Sequence, residues 1–158
     1  MKPFRKILAG LSNINEMKEN HFLITLVQKL ALTGAVMVTT PQELALLDVK
    51  KGADMFGKVN TPVMGVIENM THFHCPNCNE ASQIFPGSSG KAESKRLDVP
   101  LLGQIYLSPE IAQSSDDGTP YILKYEDSPI TREYEKIASQ LEKLSEISLS
   151  KTLQTIPV

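Results

Sequence analysis

Cys75 and Cys78 are the only cysteines in the 158-residue chain, and they stand together as Cys75-Pro76-Asn77-Cys78. A two-residue gap lets both sulfurs address one metal centre or each other, so the pair is suited to metal ligation or to thiol redox chemistry. Two thiolates are half of a tetrahedral set. Structural zinc and iron–sulfur centres take four protein ligands, so a metal reading needs His72, His74 or a second copy of the chain. His72 and His74 invite a mononuclear zinc site with both cysteines, but His74 adjoins Cys75 directly and the chelate would be cramped. The expectation is that these histidines face solvent. A structural pair with no bound metal is the third alternative.

The pair follows an apolar, strand-like run at residues 62–67 and then Glu68-Asn69-Met70. That order places the thiols beyond the carboxyl end of a sheet strand, the edge at which open α/β sheets bind ligands. A thioredoxin-type motif would instead put its first cysteine at a helix N-terminus, and no amphipathic pattern begins after Cys78. Ligation is therefore favoured over redox catalysis.

The surrounding elements alternate. Residues 34–40 form a short β-branched run without charge, as in a parallel strand covered on both faces. Thr40 and Pro41 supply N-cap and first-turn signals for a helix reaching about Gly57, with a stripe of Leu44, Leu47, Val49, Ala53 and Phe56. A strand at 63–67, the cysteine loop, a short helix near 91–97 and a strand at 100–106 follow. Ser108-Pro109-Glu110 opens a further helix that stops near Asp117-Gly118, where Asp116 and Asp117 read as a helix end and Glu126 as surface loop. From Asp127-Ser128-Pro129, apolar residues recur at Ile130, Tyr134, Ile137, Leu141, Leu144 and Ile147, the stripe of a helix docked on the sheet. The tail 149–158 carries no usable period and is expected to fray. Strands separated by helices give an α/β fold with a parallel sheet.

Composition narrows the class. With 41% hydrophobic and 22% charged residues the chain suits one soluble globular domain. A net charge of −2 with dispersed basic residues argues against nucleic-acid binding. No apolar run reaches membrane-spanning length, and a single close cysteine pair agrees with a reducing, intracellular compartment. Lys2, Arg5 and Lys6, with no acidic residue before Glu16, permit an organellar presequence as well as a solvated leader. Gly87-Ser88-Ser89-Gly90-Lys91 resembles a phosphate loop but holds Phe85 and Ala92 where a Walker A loop needs glycine and serine or threonine. It reads as a turn and helix start.

The ordered motifs resemble the Mrp/ApbC-type P-loop proteins that carry iron–sulfur clusters, mitochondrial relatives included. The likeness runs over residues 23–147 through Leu26-Val27-Gln28-Lys29, residues 34–43, Asp48-Val49-Lys50-Lys51-Gly52, Val66-Ile67-Glu68-Asn69-Met70, the cysteine pair, Ile84-Phe85, residues 99–105 and Leu107-Ser108-Pro109-Glu110-Ile111. It divides the chain into a divergent leader at 1–22, the C-terminal part of the P-loop domain at 23–148 and a tail at 149–158. The resemblance implies a P-loop-NTPase-like parallel sheet of the SIMIBI type, truncated so that the Walker A half is absent. It implies that Cys75 and Cys78 hold half of a bridging [4Fe-4S] cluster in a homodimer, or in a heterodimer with another family member. It places ATP with its adenine side near Asn69, Leu107, Ser108 and Pro109. Recipient iron–sulfur apoproteins would be the partners, without nucleic acid or membrane insertion, in the cytoplasm or mitochondrial matrix.

The family's phosphate-binding lysine and its magnesium-side aspartates are missing, and Glu16-Met17-Lys18-Glu19-Asn20 stands where the latter belong. Phosphoryl transfer loses its main electrostatic support without them, so no ATP hydrolysis by this chain alone is expected. The alternative function is a structural or interaction module that holds zinc with the same cysteines.

Overall fold

A computed structural model of the protein describes Val27, Leu30, residues 32–87 and residues 89–154. Three strands form a parallel core: β1 (Ala35–Thr39), β2 (Val63–His74) and β4 (Leu101–Leu107), with β2 in the centre. Val38 pairs with Ile67 on one side of β2, and Asn69 pairs with Ile105 on the other. The two-residue strand β3 (Ala81–Ser82) runs antiparallel to the far end of β2, setting Ser82 against Phe73 and Ala81 against His74.

Helices lie on both faces of the parallel core, as buried parallel strands require. Helix α1 (Glu43–Lys58) and helix α2 (Ser89–Leu97) lie on one side, where Met37, Val49, Ala53 and Val66 make a buried cluster. Helix α5 (Pro129–Gln154) covers the other, driving Ile130, Ile137 and Leu141 against Val36, Met64, Leu102 and Ile105. Its approach depends on Gly103, where a Cβ would stand 2.6 Å from Ile137. The Oγ of Ser128 accepts the N–H of Thr131 at 3.0 Å and starts this helix, as the sequence pattern predicts. Two short helices, α3 (Pro109–Asp116) and α4 (Tyr121–Lys124), link β4 to α5.

Several expectations change. Helix α1 begins after Gln42, which gives no side-chain cap, so Thr40 is not the N-cap. Its buried stripe is Val49, Gly52 and Ala53, whereas Leu44 and Leu47 are 74% and 52% exposed. Val38 is exposed as well, so β1 is not covered along its whole length among the described residues. Helix α5 continues through Gln154, beyond the last apolar position of its stripe, where a frayed tail is expected. The largest difference lies in β2. It is twelve residues long and takes in residues 68–74, which the sequence places in a loop. Polar side chains masked that extension. They are accommodated because Glu68, 2% exposed, accepts the N–H of Gly90 at 2.9 Å and the side-chain amide of Gln104 at 2.7 Å. Between Asn69 and Phe73 the strand bulges against β4, and Met70 adopts a positive φ of 57°.

Among the described residues no helix is long and apolar enough to cross a membrane.

Candidate functional site

The extension of β2 sets the position of the thiols. Strand β2 ends at His74, β3 begins at Ala81, and the six residues between them close a hairpin at the carboxyl edge of the sheet. The N–H of Cys75 donates to Glu80 O at 3.0 Å, and the N–H of Asn79 donates to Cys75 O at 2.8 Å. Asn79 completes the reversal with a φ of 58°, a left-handed conformation that asparagine tolerates. The cysteines are therefore carried on a hairpin turn, outside any helix.

Cys75 is half-buried and Cys78 is exposed; both are free thiols. The backbone N–H groups of Cys78 and Asn77, and then the Cys78 thiol, hold the Cys75 thiol below its ordinary range, with burial opposing them. Donors aimed at one sulfur stabilise the thiolate, which is the species that binds metal. No group of three or more His, Cys, Asp and Glu side chains lies close enough to hold one ion among the described residues. The cysteine pair thus stands without a histidine, and the mononuclear zinc arrangement with His72 and His74 is not formed.

The histidines do not face open solvent either. Both are half-buried, with ring centres 4.8 Å apart, and both lie against the ring of Tyr106 at 5.5 and 5.1 Å. Burial, and then the neighbouring His74, push the pKa of His72 down.

Beside Cys75 a cleft of about 330 Å3 opens between the hairpin and the start of α3. Leu107, Ser108 and Pro109 border it, so three residues on the expected adenine side share a cavity with an expected cluster ligand. Asn69 is placed differently: its Oδ1 accepts the N–H of Met70 at 2.9 Å, which ties the amide to the bulge. Ser108, buried, donates from Oγ to the Glu110 carboxylate, and this bond holds Glu110 below the usual carboxylate range. Tyr106 walls the cleft with its phenol pushed above the ordinary value by burial, then by Tyr121 and Glu110. Sequence reasoning missed Tyr106, Glu110 and the partner of Glu68. A tyrosine two places after Gln104 on β4 carries no signal of its own until the bulge brings His72 and His74 beside it.

The start of α2 also decides the phosphate-loop question. Its Gly90 N–H is taken by the Glu68 carboxylate, and a Cβ on Gly90 would meet Glu68 Cβ at 2.6 Å. An internal carboxylate fills the place an anion would take.

The family described as ParA: NUBPL iron-transfer P-loop NTPase matches residues 20–142. The chain belongs to this family. Within the NUBPL-type family, an iron–sulfur cluster transfer protein NUBPL of Dictyostelium discoideum is 40% identical over 125 residues, covering 79% of this chain and 39% of the relative. An iron–sulfur cluster carrier protein of Aquifex aeolicus is 43% identical over 123 residues, covering 78% of this chain and 34% of the relative. The chain thus spans less than two-fifths of the length of both relatives. Among solved structures, a nucleotide-binding protein of Archaeoglobus fulgidus in complex with ADP has a TM-score of 0.56 at 31% identity, over 68% of this chain and 42% of that one. The cell division ATPase MinD of Pyrococcus furiosus matches at a TM-score of 0.57 and 23% identity, over 87% of this chain and 50% of its own, a likeness of fold. The fold is that of a P-loop NTPase, with the short chain supplying a portion of it.

Proposed function

We propose that this chain carries an iron–sulfur cluster as cargo, a [4Fe-4S] cluster held between two copies by Cys75 and Cys78 of each, for delivery to recipient apoproteins. One observation carries the reading: two thiols share an exposed turn, N–H donors are aimed at one sulfur, and no third protein ligand stands within reach among the described residues. Two thiolates are half a set, and a two-fold axis through the turn doubles them to four. The exposed turn suits a transferable cargo, because a cluster at its tip leaves without the core opening. The carrier and transfer proteins among the relatives support the same reading.

ATP or ADP would lie on the side of Asn69 and residues 107–109, in keeping with the nucleotide-binding neighbour. The cleft that Cys75 shares with Leu107, Ser108 and Pro109 offers a physical route by which nucleotide occupancy reaches the hairpin.

Protein purified without oxygen and analysed for iron, acid-labile sulfide and zinc tests this. Iron and sulfide in equal amounts, at about two of each per chain, support the carrier. Stoichiometric zinc without sulfide overturns it in favour of a zinc-holding interaction module.

A further inference from the structure

His72 and His74 lie two residues apart on β2 and so share one face of the strand. Their Nε2 atoms stand 3.0 Å apart. What occupies the space between them depends on where each ring keeps its proton. Thr71 Oγ1 lies 2.9 Å from His72 Nδ1 and 3.4 Å from Ile105 O. When its single hydrogen goes to Ile105 O, the hydroxyl accepts from His72, which then carries its proton on Nδ1. His74 Nδ1 faces the carbonyl oxygen of Asn79 at 3.5 Å, an atom that only accepts, so His74 is protonated on Nδ1 too. With both protons on Nδ1 the two Nε2 lone pairs point into one gap, where a cation joins them; with His72 protonated on Nε2 the same gap holds an N–H···N hydrogen bond.

The metrics suit a metal ion. Two nitrogens at about 2.05 Å from one ion and 3.0 Å from each other subtend about 94°. With each nitrogen about 1.2 Å from its ring centre, that arrangement puts the centres about 4.8 Å apart, whereas a strictly linear hydrogen bond puts them about 5.4 Å apart. The observed separation is 4.8 Å. An angle near 90° is the cis angle of a tetragonal site, preferred by copper(II) and nickel(II), and is narrower than zinc's tetrahedral angle. When the rings ligate, the hydroxyl of Thr71 and the carbonyl of Asn79 are the partners that would hold each in its Nδ1–H tautomer. Tyr106 lies against both rings and limits their rotation.

We propose that His72 and His74 form a two-histidine chelate for a tetragonal first-row divalent cation, separate from the cysteine pair and completed by water. The site uses neither thiol, so it stands or falls independently of the cluster reading.

The test is titration of copper(II) into the full chain carrying Cys75→Ser and Cys78→Ser, which removes thiol ligation and copper-driven thiol oxidation. Electron paramagnetic resonance reads the number of bound nitrogens, and circular dichroism checks that each variant is folded. The expected result is one equivalent of copper(II) with two nitrogen ligands. In folded His72→Gln and His74→Gln variants one nitrogen is lost and affinity falls by roughly tenfold or more, since even outer-shell changes cost that much. His21→Gln, the remaining histidine, leaves both unchanged. Absence of stoichiometric copper, which would leave a proton as the shared cation, overturns the proposal, as does an undiminished two-nitrogen signal in either glutamine variant.

Discussion

The carboxylate of Glu68, in the middle of β2, receives the backbone N–H of Gly90 at 2.9 Å and so locks the first turn of α2 to the strand that ends in the cysteine hairpin. Gln104 on β4 takes the other oxygen at 2.7 Å. One buried side chain therefore joins three elements where apolar residues would ordinarily do so.

Replacing Glu68 by alanine leaves the Gly90 N–H and the Gln104 amide without acceptors and opens a void, at a cost of about 2–4 kcal/mol. Glu68→Gln costs less, because the Gln104 amide turns over to present its oxygen. Urea unfolding of both variants measures the difference, and equal losses contradict the account.

Gly103→Ala pushes a methyl into Ile137, 2.6 Å away, and overpacks the seat of α5 by about 1–3 kcal/mol. Adding Ile137→Val removes Cδ1, one of the two Ile137 carbons at 2.6 Å. The double variant is expected to lose less than the sum of the two single changes, a coupling that unfolding midpoints read directly.

Glu93 is 1% exposed and receives two hydrogen bonds from Arg96, at 2.9 and 2.6 Å. Arg96 also reaches Asp54 on α1, at 3.5 Å. Arg96→Met strands the buried carboxylate and destabilises the protein by about 2 kcal/mol, less than for a fully buried pair because the guanidinium side is open to water. Arg96→Met combined with Glu93→Leu recovers most of the loss in thermal unfolding.

Tyr134 has its pKa raised by burial against the α5 core, with Tyr121 adding to the effect. The folded state thus holds the phenol proton more tightly than the unfolded chain. Its contribution is complete below the ordinary phenol value of about 10 and is lost as pH rises through the folded value. Tyr134→Phe is expected to remove a late component from the phenolate absorbance titration and to flatten the stability loss above about pH 10.

Where apolar period or capping chemistry dominates, the sequence was readable. The stripe Ile130, Ile137 and Leu141, the Ser128 start of α5 and the parallel strands all carry their own signals. What stayed hidden depends on distant partners. Residues 68–74 look like a loop because Glu68, Thr71 and the two histidines are polar, and only Gly90, Gln104, Ile105 and Tyr106 make them strand residues. Helix α1 misled for the opposite reason: Leu44 and Leu47 complete an apolar pattern, yet no described residue buries them. The thiols were legible as a pair, while the hairpin that presents them, the donors to Cys75 and the cleft alongside depend on the register of β2 with β3 and β4.

The central claim is that two chains share one cluster through four thiolates. Native mass spectrometry of protein reconstituted anaerobically with iron and sulfide tests it most directly. The account predicts a dimer heavier than two chains by one [4Fe-4S] unit, reverting to cluster-free protein in folded Cys75→Ser. A cluster carried by a single chain, or a folded wild-type protein that takes up none, contradicts it.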